Sequence, residues 1–119
     1  MTQALYRLHA HTAAAMIRDG KLKPSTLMQA FVDRVAELEP TVGAFEAINT
    51  EAALKKAIAL DKQTPKGLLF GLPIGVKDLI DTVDMPTTYG SPIYANHQPV
   101  SDAVCIVHTK AQGGLILGK

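Results

Sequence analysis

Tryptophan is absent, cysteine occurs once, and aromatic residues make up only 5% of the 119-residue chain. A lone Cys105 cannot form an internal disulfide, which excludes the disulfide-stapled secreted folds and suits a reducing compartment. No apolar run approaches the ~20 residues of a membrane-spanning helix. Arg7, His9 and His11 interrupt the N-terminal stretch where a secretory signal would place its apolar core. A cytoplasmic location without a membrane partner is therefore expected. An excess of one charge is missing too: 12 Lys and Arg against 11 Asp and Glu leave a net charge of +1. That balance provides no electrostatic reason for binding nucleic acid. Repeats and low-complexity segments are also lacking. What is present is core material, with 47% hydrophobic and 19% charged residues, enough for one small globular domain.

The first half reads as helices. Thr12 is a candidate N-cap for a helix over Ala13 to Asp19, with Gly20 as its left-handed stop. A second helix starts at Pro24-Ser25-Thr26, places Leu27, Phe31, Val35 and Leu38 on one face, and ends before Pro40. Thr50 is the expected cap of a third helix running to about Asp61. Its apolar pair is Leu54 and Ile58, and Glu51 lies in the first turn, where the helix dipole favours a negative charge.

After Lys66 the pattern changes. The run Gly71-Leu72-Pro73-Ile74-Gly75-Val76 is too short for a helix, and Ile74 to Lys77 reads as the end of a buried strand. Asp81 to Ser101 reads as a long loop punctuated by Pro86, Gly90, Pro92 and Pro99, a length that usually signals function. Asp102 is expected to cap a helix with Val104, Val107, His108 and Ala111 inward and Cys105 and His108 partly buried. Gly113-Gly114 then stops that helix, and Leu115 to Leu117 forms a second buried strand. This order is one βαβ-like crossover. Two parallel strands do not make a self-sufficient sheet, so the sequence reads as interrupted after its most apolar strand, with marginal stability and self-association through an exposed edge expected.

The segment Gly71 to Asp78, continued by Leu79-Ile80-Asp81-Thr82 and Met85-Pro86-Thr87-Thr88-Tyr89-Gly90-Ser91-Pro92, resembles the amidase signature family. The likeness extends through Ser101-Asp102-Ala103-Val104 and Gly113 to Lys119, and upstream to Ile17-Arg18-Asp19-Gly20, Pro24-Ser25 and the Phe31 helix. The resemblance implies an α/β fold: N-terminal helices followed by the first strands of that family's mixed sheet, incomplete in this chain. Residues 1–119 would form the N-terminal part of a single amidase domain, with 1–65 a helical lead-in and 66–119 the start of the α/β core. It further implies cleavage of carboxylic amides through a Ser–cis-Ser–Lys triad and an acyl-enzyme, with a small-molecule amide as partner and with neither cofactor nor metal. The family's lysine maps onto Lys77. Both serines belong to a Gly/Ser-rich stretch that this sequence lacks, and Ser25, Ser91 and Ser101 do not lie in such a motif. Family members act on small amides, fatty amides, or glutamine as an ammonia source for tRNA-dependent amidation. The segments Lys77-Asp78-Leu79-Ile80 and Thr88-Tyr89-Gly90-Ser91 look more like the general amidases, and the substrate-binding residues are not identified.

The chemistry asked of such a lysine is definite. A serine hydroxyl is a weak nucleophile and needs a base within hydrogen-bond reach. A lysine serves only as the free amine, so its pKa has to fall from roughly 10.4. Burial drives that fall by disfavouring the ammonium. Lys77 follows an apolar run whose strand end would hold it inside, and ligand sites of open α/β sheets gather at such carboxyl ends.

Other readings stay open beside this one. Lys77 could be a solvated lysine at a strand end, and the chain an inactive fragment or pseudoenzyme. Asp78 and Asp81 are candidates for an acid pair or metal site, or for bonds to loop backbone and a nearby cation. His9 and His11 fit a metal pair or a frayed terminus, and His97 a solvated loop position. Met85-Pro86-Thr87-Thr88 could border an acyl pocket. Gly113 to Lys119 formally fits a phosphate-loop pattern, a remote nucleotide-binding alternative. Its interior, Leu115-Ile116-Leu117, is a strand core that follows a helix, whereas that loop must be flexible and open one.

Overall fold

The computed structural model describes residues 4–119. A 3-10 turn, Leu5–Arg7, leads into helix α1, Ala10–Arg18. Helix α2 spans Pro24–Val42, α3 spans Thr50–Leu60, and α4 spans Val104–Ala111. Strand β1, Pro73–Gly75, precedes α4, and β2, Leu115–Gly118, follows it. The crossover is therefore observed as expected: β1 and β2 pair in parallel, Pro73 opposite Leu115 and Ile74 opposite Ile116, before the register shifts at Gly75.

The helix ends differ in detail from the sequence expectations. α1 begins before Thr12, with His9 in the extended conformation at its start. α2 does begin at Pro24, whose fixed φ suits a first helical position. It runs through Pro40, however, and stops only at Gly43, whose φ of 58° makes the left-handed exit. A proline in the last turn removes a single helical bond, and Ala36, whose carbonyl loses its donor, lies on the solvent side. Asn49 rather than Thr50 caps α3, its side-chain oxygen accepting the Ala52 N–H at 2.9 Å. The start of α2 is tied to the end of α3: the Asp61 carboxylate accepts both the N–H and the hydroxyl of Ser25.

Packing follows from β2. In a strand successive side chains point to opposite faces. Leu115 and Leu117 join Met28, Ala53 and Ala57 on one side, and Ile116 meets Val76, Met85 and Ile106 on the other. A third cluster sets Ile17 and Leu27 against Phe70 and Leu72. Each such aliphatic side chain contributes about 2 kcal/mol relative to exposure. β2 is buried throughout and is not bare on its second edge, as the sequence reading expected it to be. The link between α2 and α3 runs along it: Lys119 and Ala47 exchange backbone hydrogen bonds, and Asn49 N–H reaches the Leu117 carbonyl. Gly118 permits this approach, since a Cβ there would lie 2.6 Å from Phe45 and 2.9 Å from the Ala47 oxygen.

Two helical faces are placed differently from the sequence expectation. In α3 the fully buried pair is Ala53 and Ala57; Leu54 packs partly buried against the same cluster, whereas Ile58 is 55% exposed. Small side chains let α3 lie close to both α2 and β2. In α4 only Ile106 is buried; Val104, Val107, His108, Ala111 and Cys105 are exposed. The Asp102 carboxylate does not cap α4, whose N-cap is Ala103 without a side-chain bond.

Candidate active site

Lys77 lies just beyond the carboxyl end of β1, and Lys119 just beyond that of β2. The Val76 N–H bonds the Gly118 carbonyl at 3.0 Å, so the two strand ends are locked side by side. The Lys77 carbonyl accepts the Ile80 N–H at 3.0 Å, which closes a tight turn behind it. Its side chain is exposed, contrary to the expectation that the strand end would enclose it. The loop that returns to this end packs over Lys119 through Thr87 and is held by Asp78, and it leaves the neighbouring Lys77 side chain open to solvent.

Asp78 organises what surrounds this lysine. Its carboxylate accepts the Thr88 N–H at 3.0 Å and the Thr88 hydroxyl, while its carbonyl accepts the Tyr89 N–H at 3.0 Å. The long loop is thereby folded back onto the Lys77 turn. Asp81 accepts the Tyr89 hydroxyl, and its carbonyl accepts the Ala103 N–H. Asp78 and Asp81 thus bond loop groups, the second of the two readings open for them. The bond to Asp81 and partial burial raise the Tyr89 phenol above its ordinary value. Tyr89 holds a φ of 54°, an unusual conformation for a bulky side chain. It packs edge-on to Tyr94 at 5.1 Å and stacks with His97 at 5.8 Å, so His97 is a packed residue rather than a solvated one.

The loop is anchored at its far end by charge. Asp102 accepts the Val83 N–H at 2.8 Å and pairs with Lys110 at 2.7 Å. Asp84 sits between Lys56 at 3.2 Å and Lys110 at 3.0 Å. Burial alone would raise both carboxyls. For Asp84 the bonds from Lys110 and Lys56 outweigh it, and for Asp102 those from Lys110 and Val83, so both lie below the ordinary value. Burial alone would lower Lys110, but its bonds to Asp102 and Asp84 exceed that effect and raise it.

A second lysine was given no role from the sequence, where Lys119 figured only as the end of the family likeness and of the false phosphate-loop pattern. The Lys119 side chain is fully buried, its ammonium donates to the Thr87 hydroxyl, and it lies 3.9 Å from Asp78. Burial lowers its pKa, against the opposing pull of Asp78, Asp81 and Asp102. The one available signal was a lysine directly after an apolar strand, Leu115-Ile116-Leu117-Gly118-Lys119, too common to single out a site.

The remaining candidates lie elsewhere or are otherwise engaged. Ser25 is bonded to Asp61, and Ser91 accepts the Ile93 N–H at 3.4 Å. His9 and His11 are exposed with their rings stacked 5.6 Å apart at the start of α1, an ordered position rather than a frayed one. Within the turn that could border an acyl pocket, Met85 and Thr87 are buried in the interior, and Thr88 lines a shallow cleft with Gly90, Ser91 and Pro92.

Known proteins share both this sequence and this architecture. The chain matches the Amidase family model over residues 26–119. It is 37% identical over 119 residues to a Glutamyl-tRNA(Gln) amidotransferase subunit of Chlamydia pneumoniae, covering 97% of this chain and 24% of that protein. The corresponding subunit of Thermus thermophilus is 40% identical over 110 residues, with 92% and 22% covered. Among solved structures, native peptide amidase from Stenotrophomonas maltophilia superposes with a TM-score of 0.86 at 30% identity, over 95% of this chain and 24% of that one. The chain thus spans about a quarter of the length of these relatives. By the extent of the family match and the shared architecture, the chain belongs to the amidase signature family.

Proposed function

We propose that Lys77 is the base and acid of an amide hydrolase, acting through two serines that residues 1–119 do not contain. The reading rests on one observation: in a chain of this family, Lys77 stands at the carboxyl end of β1 on a turn fixed from both sides, with its side chain free of protein partners among the described residues. As a free amine it would take a proton from a bridging serine, which in turn deprotonates the nucleophilic serine. The nucleophile adds to the amide carbonyl, and the C–N bond breaks as the proton returns to the departing amine. Water, activated by the same relay, then releases the acid from the acyl-enzyme. Such a relay works only when water is excluded around the amine. Around the exposed Lys77 side chain, further chain in a polypeptide as long as the relatives would supply that cover.

The family resemblance implies two substrate classes to compare: small amides, and glutamine as an ammonia source. The test is hydrolysis of a small aromatic amide and of glutamine by a polypeptide of the relatives' length that contains this segment. With Lys77→Ala, turnover is expected to fall by about 10⁴-fold or more, the scale of losing a catalytic base together with its nucleophile activation. The 119-residue chain alone is expected to show no turnover. Hydrolysis by that chain, abolished in Lys77→Ala, would mean that a serine within it completes the site.

A further inference from the structure

Lys119 is a buried ammonium for which the proposed relay has no use. Taking such a group out of water costs several kcal/mol unless its partners compensate. Those partners are particular ones: Thr87, whose N–H is itself bonded to the His97 carbonyl at 2.9 Å, and the carboxylate of Asp78, the residue next to Lys77. Asp78 in turn grips Thr88, the neighbour of Thr87. Lys119 therefore closes a ring that joins the end of β2, the Lys77 turn and the returning loop. Its own backbone is held by Ala47 at 2.7 Å, so the ring is referenced to the rigid sheet.

We propose that Lys119 is a positioning residue: by tying Thr87 to the Asp78 carboxylate, it fixes the backbone turn that carries Lys77. The inference rests on the role given to Lys77 above, because only a group whose placement matters needs such a clasp. Displacing a reacting group by about 1 Å costs on the order of a hundredfold in rate. The lowered pKa of Lys119 reflects the same enclosure.

The experiment has two arms. In a polypeptide of the relatives' length that contains this segment, amide hydrogen exchange is followed at Thr88 and Tyr89, whose N–H groups bond Asp78, in wild type, Lys119→Met and Thr87→Val. Both variants are expected to exchange at least about tenfold faster there, with Ala53 and Ala57 in α3 unchanged as a folding control. In the amide-hydrolysing polypeptide, the same variants are expected to lower kcat by about ten- to a hundredfold while KM stays within about threefold, and Thr87→Ser, which keeps the hydroxyl, recovers most of the loss. A kcat within about twofold of wild type for Thr87→Val and Lys119→Met, beside a dead Lys77→Ala, overturns the positioning role and leaves the function of Lys77 standing. An active Lys77→Ala overturns both. Should Lys119→Met not fold, the near-isosteric Thr87→Val decides, since it removes one bond and little volume.

Discussion

At the scale of single residues, charge placement makes a prediction with a definite sign. Asp84 and Asp102 have folded pKa values below their ordinary 3.8. The stability they contribute is thus fully present above that pH and is lost as pH falls through the lowered folded values. Lys110 has a folded value above 10.5, so its share is fully present below 10.5 and is lost as pH rises through the raised folded value. These side chains are partly open to water, with Asp84 30% exposed, and solvent screens them accordingly. Asp84→Asn is expected to lower stability by about 1 kcal/mol at pH 7, a loss that closes below the folded value. Urea unfolding at pH 7 and pH 3 checks this, and an equal difference at both would refute the ion-pair assignment. Lys77 could be singled out in the sequence because the family-like segment that contains it, Gly71 to Asp78, is contiguous. Lys119 was not, since its partners Thr87 and Asp78 lie 32 and 41 positions away along the chain.

At the scale of elements, the choice of buried face is decided by what the helix packs against. The four-residue spacing of Leu54 and Ile58 resembles an apolar stripe, yet α3 fully buries Ala53 and Ala57, with Leu54 only partly covered and Ile58 exposed. Ala57→Leu is therefore expected to destabilise the chain by about 1–3 kcal/mol through overpacking. Ile58→Ala, on the exposed side, should change stability by no more than about 0.5 kcal/mol. The opposite order in denaturant midpoints would show that the leucine face is the buried one. Close backbone approach makes a second prediction at this scale. Gly118→Ala would press a methyl against Phe45 and the Ala47 carbonyl, opening the link along β2. A loss of about 1–3 kcal/mol, with faster exchange of the Asn49 and Lys119 amides, is the expected outcome. Strand existence and the parallel crossover were readable from apolar runs bounded by Gly and Pro. Helix caps were not, because Thr50 and Asn49 are both competent and only backbone geometry selects between them.

At the scale of the whole molecule, surface area is in excess. The chain exposes 7455 Å², whereas a compact monomer of 12.7 kDa exposes roughly 6,200 Å². Part of the surplus is apolar: Ile93 is 89% exposed, Leu68 75% and Val104 72%. Among the described residues no helix is long and apolar enough to cross a membrane, so these side chains do not mark a membrane-spanning helix. We expect the isolated chain to be marginally stable and to associate with itself as concentration rises, as exposed apolar patches do. Sedimentation velocity across a roughly hundredfold range of concentration tests this, and a monomer with a sharp cooperative melt at every concentration would count against it.

The linear order of residues by itself determined the helices, the two apolar strands with a crossover between them, the family likeness and the lysine of its motif. Each of these depends on local periodicity or on contiguous residues, which sequence displays directly. Only the tertiary structure decided which face of α3 and α4 is inside, that the Phe45–Asn49 link covers the second edge of β2, and that Lys119 rather than Lys77 is the buried amine. Those outcomes depend on groups brought together from distant positions, where burial and hydrogen-bond partners are properties of the packing rather than of any segment.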